Sequence, residues 1–431
     1  MSGTSTQGPQ APEENAHAKD MSVEGAEGSR KEDEIPNGGL TAWLQVTGSF
    51  FLFFNTWGII NSYGVFQTYY ETGLLSTSNS SDISWIGSVQ SFLIMFVGVI
   101  TGPIYDAGYF RTLLITGAVL VVVGHMLLSI CKSYWQIMLC QGVCIALGSG
   151  TLFVPGVAIL PSYFTTRISL AVGIAASGSS LGGVIYPIIF HNLQPRLGFG
   201  WTVRVIGFIA LFGLLLSILS MRMRKLLATR RKIIDWTAFR EPPYMLFTLG
   251  IFLAFMGLYV PFYYVQLHAI DRGITNSNLG FYLLPILNAA SVFGRIIPNY
   301  MADTSGPLNM MMICAMVSGI LVFCLVAITK TSSLIVFCIL YGFFSGAFVS
   351  LIPPILTLLS PKLGVIGTRM GMCFTIVAVG LLLGTPIAGA ILSSHGFNAV
   401  WIYGGVFTLV GSACIIGARM FQAGWMVMTR V

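Results

Sequence analysis

Apolar and polar positions along this chain alternate on the length scale of a lipid bilayer. Past residue 36, apolar windows of about twenty residues, enough for a helix to cross a hydrocarbon layer, recur along the sequence. They fall at 41–67, 83–104, 112–131, 134–157, 168–190 and 201–221, then at 244–267, 279–301, 309–329, 332–354, 369–392 and 398–419. Gly and Pro interrupt several windows, which membrane helices tolerate because neighbouring helices satisfy the freed backbone groups. The pattern predicts an all-α membrane protein of twelve transmembrane helices. Its polar segments are a disordered tail over 1–36, a basic linker over 222–243 and a short tail over 421–431. The linker separates two predicted six-helix bundles, 37–221 and 244–420.

The two halves also repeat each other in detail. GPIYDAGYFR (Gly102–Arg111) follows the second window and GRIIPNYMADTSGPLN (Gly294–Asn309) ends the eighth. Each places an aspartate, Asp106 or Asp303, at a helix end with a glycine shortly after. The fourth and tenth windows share a glycine and a proline, Gly148 and Pro155 against Gly346 and Pro353. The fifth and eleventh share Arg167, Gly178 and Gly182 against Arg369, Gly380 and Gly384. Corresponding spans keep one orientation, so the repeats are parallel, related by an axis along the membrane normal. Such halves rock about a midplane site, exposing it alternately to each side. On one face, Asp106, Arg111, Arg167, Asp303 and Arg369 are expected to form charged latches that hold in one state and break in the other.

Composition narrows the picture further. Residues are 55% hydrophobic and 9% charged, against roughly 25% charged in a soluble domain, so lipid must be the main solvent. The net charge of +7 does not indicate nucleic acid, because the cations sit in short clusters between spans. Sixteen Lys and Arg fall on the side of the termini and five on the other, which predicts both termini in the cytosol; a plasma-membrane location is expected separately. The sequon at Asn79 then lies on an outer loop as a candidate glycosylation site. Eight cysteines without a C-x-x-C pair give no zinc or disulfide framework. Glycine-rich stretches such as GSGTLFVPG lack the strand and lysine of a phosphate loop. No cofactor, metal or enzymatic nucleophile–base set is expected.

The twelve-span plan and the duplicated D-x-G and D-x-x-G loops resemble the major facilitator superfamily. Within it, the chain is similar to the monocarboxylate porter family, its fungal branch in particular. One family signature, an acid and two small residues followed by aromatics, corresponds to Asn37-Gly38-Gly39-Leu40-Thr41-Ala42-Trp43, where the acid is lost. A second corresponds to YFTTRISLAVGIAASG (Tyr163–Gly178), which keeps Arg167 but has Thr166 and Ile168 in place of neighbouring cations.

An ionisable group inside a span is costly, which makes it the first functional suspect. Arg295 is the one deep candidate, and Asn288 and Ser291 share its helical face. A guanidinium offers a fork of donors that fits a carboxylate. The resemblance implies that an arginine here engages the substrate's carboxylate. It also marks two departures: Ser291 stands where proton-coupled members carry an acid, and Asn61 where they carry a substrate-binding lysine. Phe54, Trp57 and Asn61 in the first span, with Tyr259 and Tyr263 in the seventh, are candidate lining residues, on helices that line the cavity in that superfamily. The chain is thus expected to be a secondary transporter, moving a small organic acid or secondary metabolite by alternating access, as an efflux carrier. Import of a monocarboxylate or vitamin-like compound is the alternative within that class, and a non-transporting nutrient sensor the alternative outside it. Protons are a candidate coupling ion, and a functional monomer is expected.

Overall fold

The computed structural model describes residues 2–4, 35–78, 80–224, 235–361 and 365–424. Most of the tail, Asn79, linker positions 225–234, Lys362 and the last seven residues lie outside the described residues. Among the described residues every regular element is helical, as lipid requires of segments that must satisfy their own backbone groups. The first half comprises α1 (Gly39–Asn55), α2 (Trp57–Asn61), α3 (Tyr63–Tyr69), α4 (Ser80–Phe96), α5 (Gly98–Asp106), α6 (Phe110–Leu128), α7 (Tyr134–Ile137), α8 (Ala146–Ala158) and α9 (Ile168–Ser220). The second comprises α10 (Pro242–Leu258), α11 (Val260–Asp271), α12 (Ser277–Ser305), α13 (Pro307–Cys324), α14 (Thr331–Leu358) and α15 (Ile366–Ala423).

Nine helical stretches among the described residues are long and apolar enough to cross a membrane. Two of them, α9 and α15, have 53 and 58 residues, roughly 80 Å at 1.5 Å per residue and far more than one bilayer. Each is kinked at a glycine with left-handed φ, 74° at Gly198 and 77° at Gly396. Gly108 and Gly306, the glycines after the paired aspartates, both have φ 93°. The repeat read from the sequence therefore has a counterpart in the backbone.

The window predicted as one span over 41–67 runs through α1, α2 and α3, whose junction residues Thr56 and Ser62 keep right-handed helical dihedrals. The Thr56 hydroxyl donates to the Leu52 carbonyl at 2.8 Å and Ser62 to that of Gly58 at 2.7 Å. Such bonds to the preceding turn bend helices. Within the halves, α1 packs on α9, and α10 on α15; between them, α9 meets α12 and α4–α5 meets α15. Phe208, Phe212, Leu215 and Leu219 on α9, and Ile313, Met316 and Ile320 on α13, stand exposed, a surface suited to lipid contact.

Candidate functional site

Small residues on α9 bring it close to a polar stripe on α12. Asn288, Ser291, Arg295 and Asn299 follow one another at three- and four-residue steps, so they share a face. A Cβ on Gly173 would lie 2.2 Å from the Arg295 carbonyl oxygen, and one on Gly183 2.7 Å from Asn288 Oδ1. Only glycine permits this approach. Arg295 is 5% exposed. Its Nε donates to Ser291 Oγ at 3.4 Å and its Nη1 to the Ala176 carbonyl at 3.3 Å, across the seam between the halves. Ser180 Oγ donates to Ser291 Oγ at 3.0 Å. No carboxylate pairs with Arg295 among the described residues. Two long hydrogen bonds leave most of its five N–H donors unspent.

Arg295 borders an apolar cavity of about 30 Å³ formed with Phe53, Trp57, Met95, Phe153 and Phe374, room for about two waters. Trp57 meets Phe153 at 5.7 Å and Tyr259 at 6.5 Å between centroids. A second void of about 10 Å³ lies between Asn61, Tyr259 and Tyr263. Asn61 and Asn288 donate through Nδ2 to the carbonyls of Ser179 and Leu284, and both Oδ1 atoms are buried without a partner. Of the predicted lining residues, Trp57, Asn61, Tyr259 and Tyr263 thus come together with Asn288, Ser291 and Arg295 along the seam. Phe54 does not border these voids; its ring packs on Tyr186 at 5.1 Å.

The expected latch residues occupy one end of the bundle, here termed the linker face. Asp303 crosses the seam and accepts from the backbone N–H groups of Ser169 at 2.9 Å and Leu170 at 3.0 Å. A carboxylate there also meets the positive end of the α9 dipole. Arg111 and Arg167 are exposed, and the Asp106 side chain lies outside the described residues. Arg369 departs from expectation. It is fully buried and clasps the linker, donating from Nε to Asp235 at 2.9 Å and from Nη1 and Nη2 to Glu241, each at 2.7 Å. A fourth bond, to the Leu359 carbonyl at 2.7 Å, leaves little capacity for a partner across the seam. Burial raises the Asp235 pKa, but hydrogen bonds from Thr237 and Arg369 outweigh it and hold the carboxyl below its ordinary range.

The sequence matches the Major Facilitator Superfamily over residues 45–300 and 287–423. The chain belongs to that superfamily. Among fungal proteins it is 53% identical to the MFS-type transporter dbaD of Emericella nidulans over 88% of this chain and 86% of that protein. It is 36% identical to the aspyridones efflux protein apdF of the same species, over 94% of this chain and 83% of that one. The fujikurins efflux protein of Gibberella fujikuroi is 38% identical over 97% and 91%. The fold is similar to that of the human organic anion transporter MFSD10 (TETRAN), with TM-score 0.67 and 14% identity, covering 87% of this chain and 98% of that one. A multi-pass membrane transporter of the superfamily is what the fold and these relatives establish.

Several residues of this facilitator's seam carry no local sequence signal. Phe53, Phe153 and Phe374 lie among many phenylalanines, and only tertiary packing selects them. Asn37 could have been found, because it heads the first resembled signature. Its Oδ1 accepts from the Thr165 and Thr166 N–H groups at 2.7 and 3.0 Å, and its own N–H donates to the Tyr163 carbonyl at 3.0 Å. Trp43 meets Phe164 edge-on at 5.4 Å. The segments beginning at Asn37 and Tyr163 therefore form one junction, with Asn37 and Thr166 in direct contact.

Proposed function

We propose that this facilitator exports a secondary metabolite bearing a carboxylate or comparable anion, with Arg295 holding that group at the seam. The observation that carries this reading is a buried guanidinium with no carboxylate partner among the described residues, beside an aromatic cavity. An uncompensated buried charge costs several kcal/mol. A bound anion offsets that cost, so the substrate stabilises the closed state it travels in. The cavity of about 30 Å³ is too small for a metabolite, so the described state is a closed one that widens during the cycle.

The mechanism is alternating access by two parallel six-helix halves. Counting α9 and α15 as two spans each, and α1–α3 as one, brings the nine stretches to twelve. Both termini and the linker face the cytosol in a plasma-membrane protein that works as a monomer. On this reading Asp303, which accepts from the Ser169 and Leu170 amides across the seam, is the centre of the cytosolic latch, and Asp106, Arg111 and Arg167 are its further charged members. Asn61, Asn288 and Ser291 add polar contacts, and Trp57, Tyr259 and Tyr263 pack the substrate body. The protein falls in the monocarboxylate-porter type, with Ser291 and Asn61 shifting it from small monocarboxylates to a bulkier cargo. Efflux also fits relatives whose names describe efflux of aspyridones and fujikurins.

The test is secretion. A yeast strain expressing the protein is fed a panel of aromatic and aliphatic acid metabolites and their neutral amides, and cells and medium are quantified by mass spectrometry. Export of acids but not amides, lost in Arg295→Ala, supports the reading; equal export of both overturns it.

A further inference from the structure

We infer that the linker face holds a second substrate site, a vestibule that takes the apolar, aromatic body of the cargo before it reaches Arg295. This rests on the export reading above and adds where the cargo first binds and what part of it is recognised. The observation is a cavity of about 270 Å³, nine times the volume beside Arg295, between α5 and α15. Gly98, Val99 and Pro103 form one wall, and Thr368, Gly371, Met372 and Thr375 the other. The two walls belong to different halves, so rocking opens and closes the space. An apolar cavity of ~150 Å³ accepts benzene, so this one has room for a larger ring system. Apart from two threonine hydroxyls, the Met372 thioether and the Trp236 indole N–H, its lining side chains are hydrocarbon, and none is charged, which suits an aromatic body and offers an acid group no cation.

A strap covers the space. Trp236 and Phe239 line it from the linker, their rings 5.9 Å apart. The strap is pinned at both ends to one side chain, since Asp235 and Glu241 both bind Arg369 of α15. The Asp235 N–H also points to Met372 Sδ at 3.4 Å. The strap must therefore travel with the second half, while the α5 wall travels with the first. Trp236 is 70% exposed, so an indole stands at the mouth.

The vestibule and the Arg295 cavity are lined by successive turns of the same helices. Met95 precedes Gly98 and Val99 by one turn of the α4–α5 helix, and Phe374 follows Gly371 by one turn of α15. Phe153 and Phe374 stand at the inner cavity with centroids 5.2 Å apart. These two rings form the gate between the sites. A cargo with an aromatic body and an acid group would bind body-first under the strap, and its acid would reach Arg295 only when the gate parts.

Site-directed modification tests this in proteoliposomes, with Thr375→Cys reporting the vestibule and Ser350→Cys the Arg295 cavity, which Ser350 also lines. A membrane-impermeant thiosulfonate is the reagent, each modified peptide is quantified by mass spectrometry, and 1-naphthoate is the aromatic-acid probe. Thr375→Cys should react, 1-naphthoate should slow it at least fivefold, and that protection should persist with Arg295→Ala. Ser350→Cys should react at least tenfold faster with Phe374→Ala, and Phe374→Leu should lie between, as a check on folding. An unreactive Thr375→Cys, absent protection, protection that needs Arg295, or no effect of Phe374 each overturns the vestibule. Loss of Arg295-dependent flux with protection intact would instead count against the export reading alone.

Discussion

Arg369→Ala should be among the most destabilising single changes on the linker face. The side chain is fully buried, and it holds Asp235, itself 15% exposed, and Glu241, 43% exposed. Removing it leaves the Asp235 carboxylate largely enclosed without its cation, and breaking such a buried pair costs about 3–5 kcal/mol. Asp235→Asn keeps the shape but loses one charge-assisted bond, worth about 1.5–3 kcal/mol. Glu241→Gln should cost least, about 0.5–1 kcal/mol, because water rehydrates the exposed partner. The assay is denaturant unfolding in mild detergent, followed by tryptophan fluorescence. The double variant Arg369→Ala with Asp235→Asn should be no worse than Arg369→Ala alone, since the stranded charge is gone. A cost for Arg369→Ala below about 1 kcal/mol, in the range of an exposed pair, would refute the clasp, as would strict additivity in the double variant.

Further consequences can be measured separately. Gly173→Ala places a Cβ within 2.2 Å of the Arg295 carbonyl, so the halves cannot close there; thiosulfonate modification of Ser350→Cys should accelerate, and an unchanged rate would count against a tight α9–α12 seam. Asp303→Ala removes the acceptor for the Ser169 and Leu170 amides, worth about 1.5–3 kcal/mol, and should shift the resting population toward a linker-face-open state in spin-label distance measurements; an unshifted distribution would remove Asp303 from the latch. Asp235 is held below the ordinary carboxylate range, so its contribution is complete above the unfolded-state pKa of about 3.9 and is lost as pH falls through its lower folded value. Between pH 5 and pH 8 the clasp should therefore be insensitive to pH, and a stability loss in that window that Asp235→Asn abolishes would contradict the assignment.

The apolar windows predicted where the helices lie because membrane length and backbone satisfaction leave few other solutions. The repeat was legible too, since glycines required at equivalent turns, such as Gly108 and Gly306, survive in both halves. Arg295 stood out because a charge inside a span is rare. Other features depended on contacts that sequence spacing does not encode. Helical spacing allows Trp57 to share a face with either Phe54 at i−3 or Phe53 at i−4; Phe53 borders the cavity, while Phe54 packs on Tyr186, a choice made by tertiary packing. Arg369 resembled Arg167 by position in the repeat, yet the acids that claim it come from the linker, over a hundred residues earlier. The vestibule arises where two halves meet under Trp236 and Phe239, which no local pattern signals.

The most direct test of the central claim is flux in proteoliposomes of purified protein, using labelled 1-naphthoate and its neutral amide. Wild type, Arg295→Ala and Arg295→Lys would be compared with a pH gradient, a membrane potential, or neither. The account predicts saturable transport of the acid and not the amide, abolished in Arg295→Ala and weakened in Arg295→Lys, which keeps the charge but loses the fork. Saturable transport of the amide, or acid transport unchanged by Arg295→Ala, would contradict an anion site at the seam.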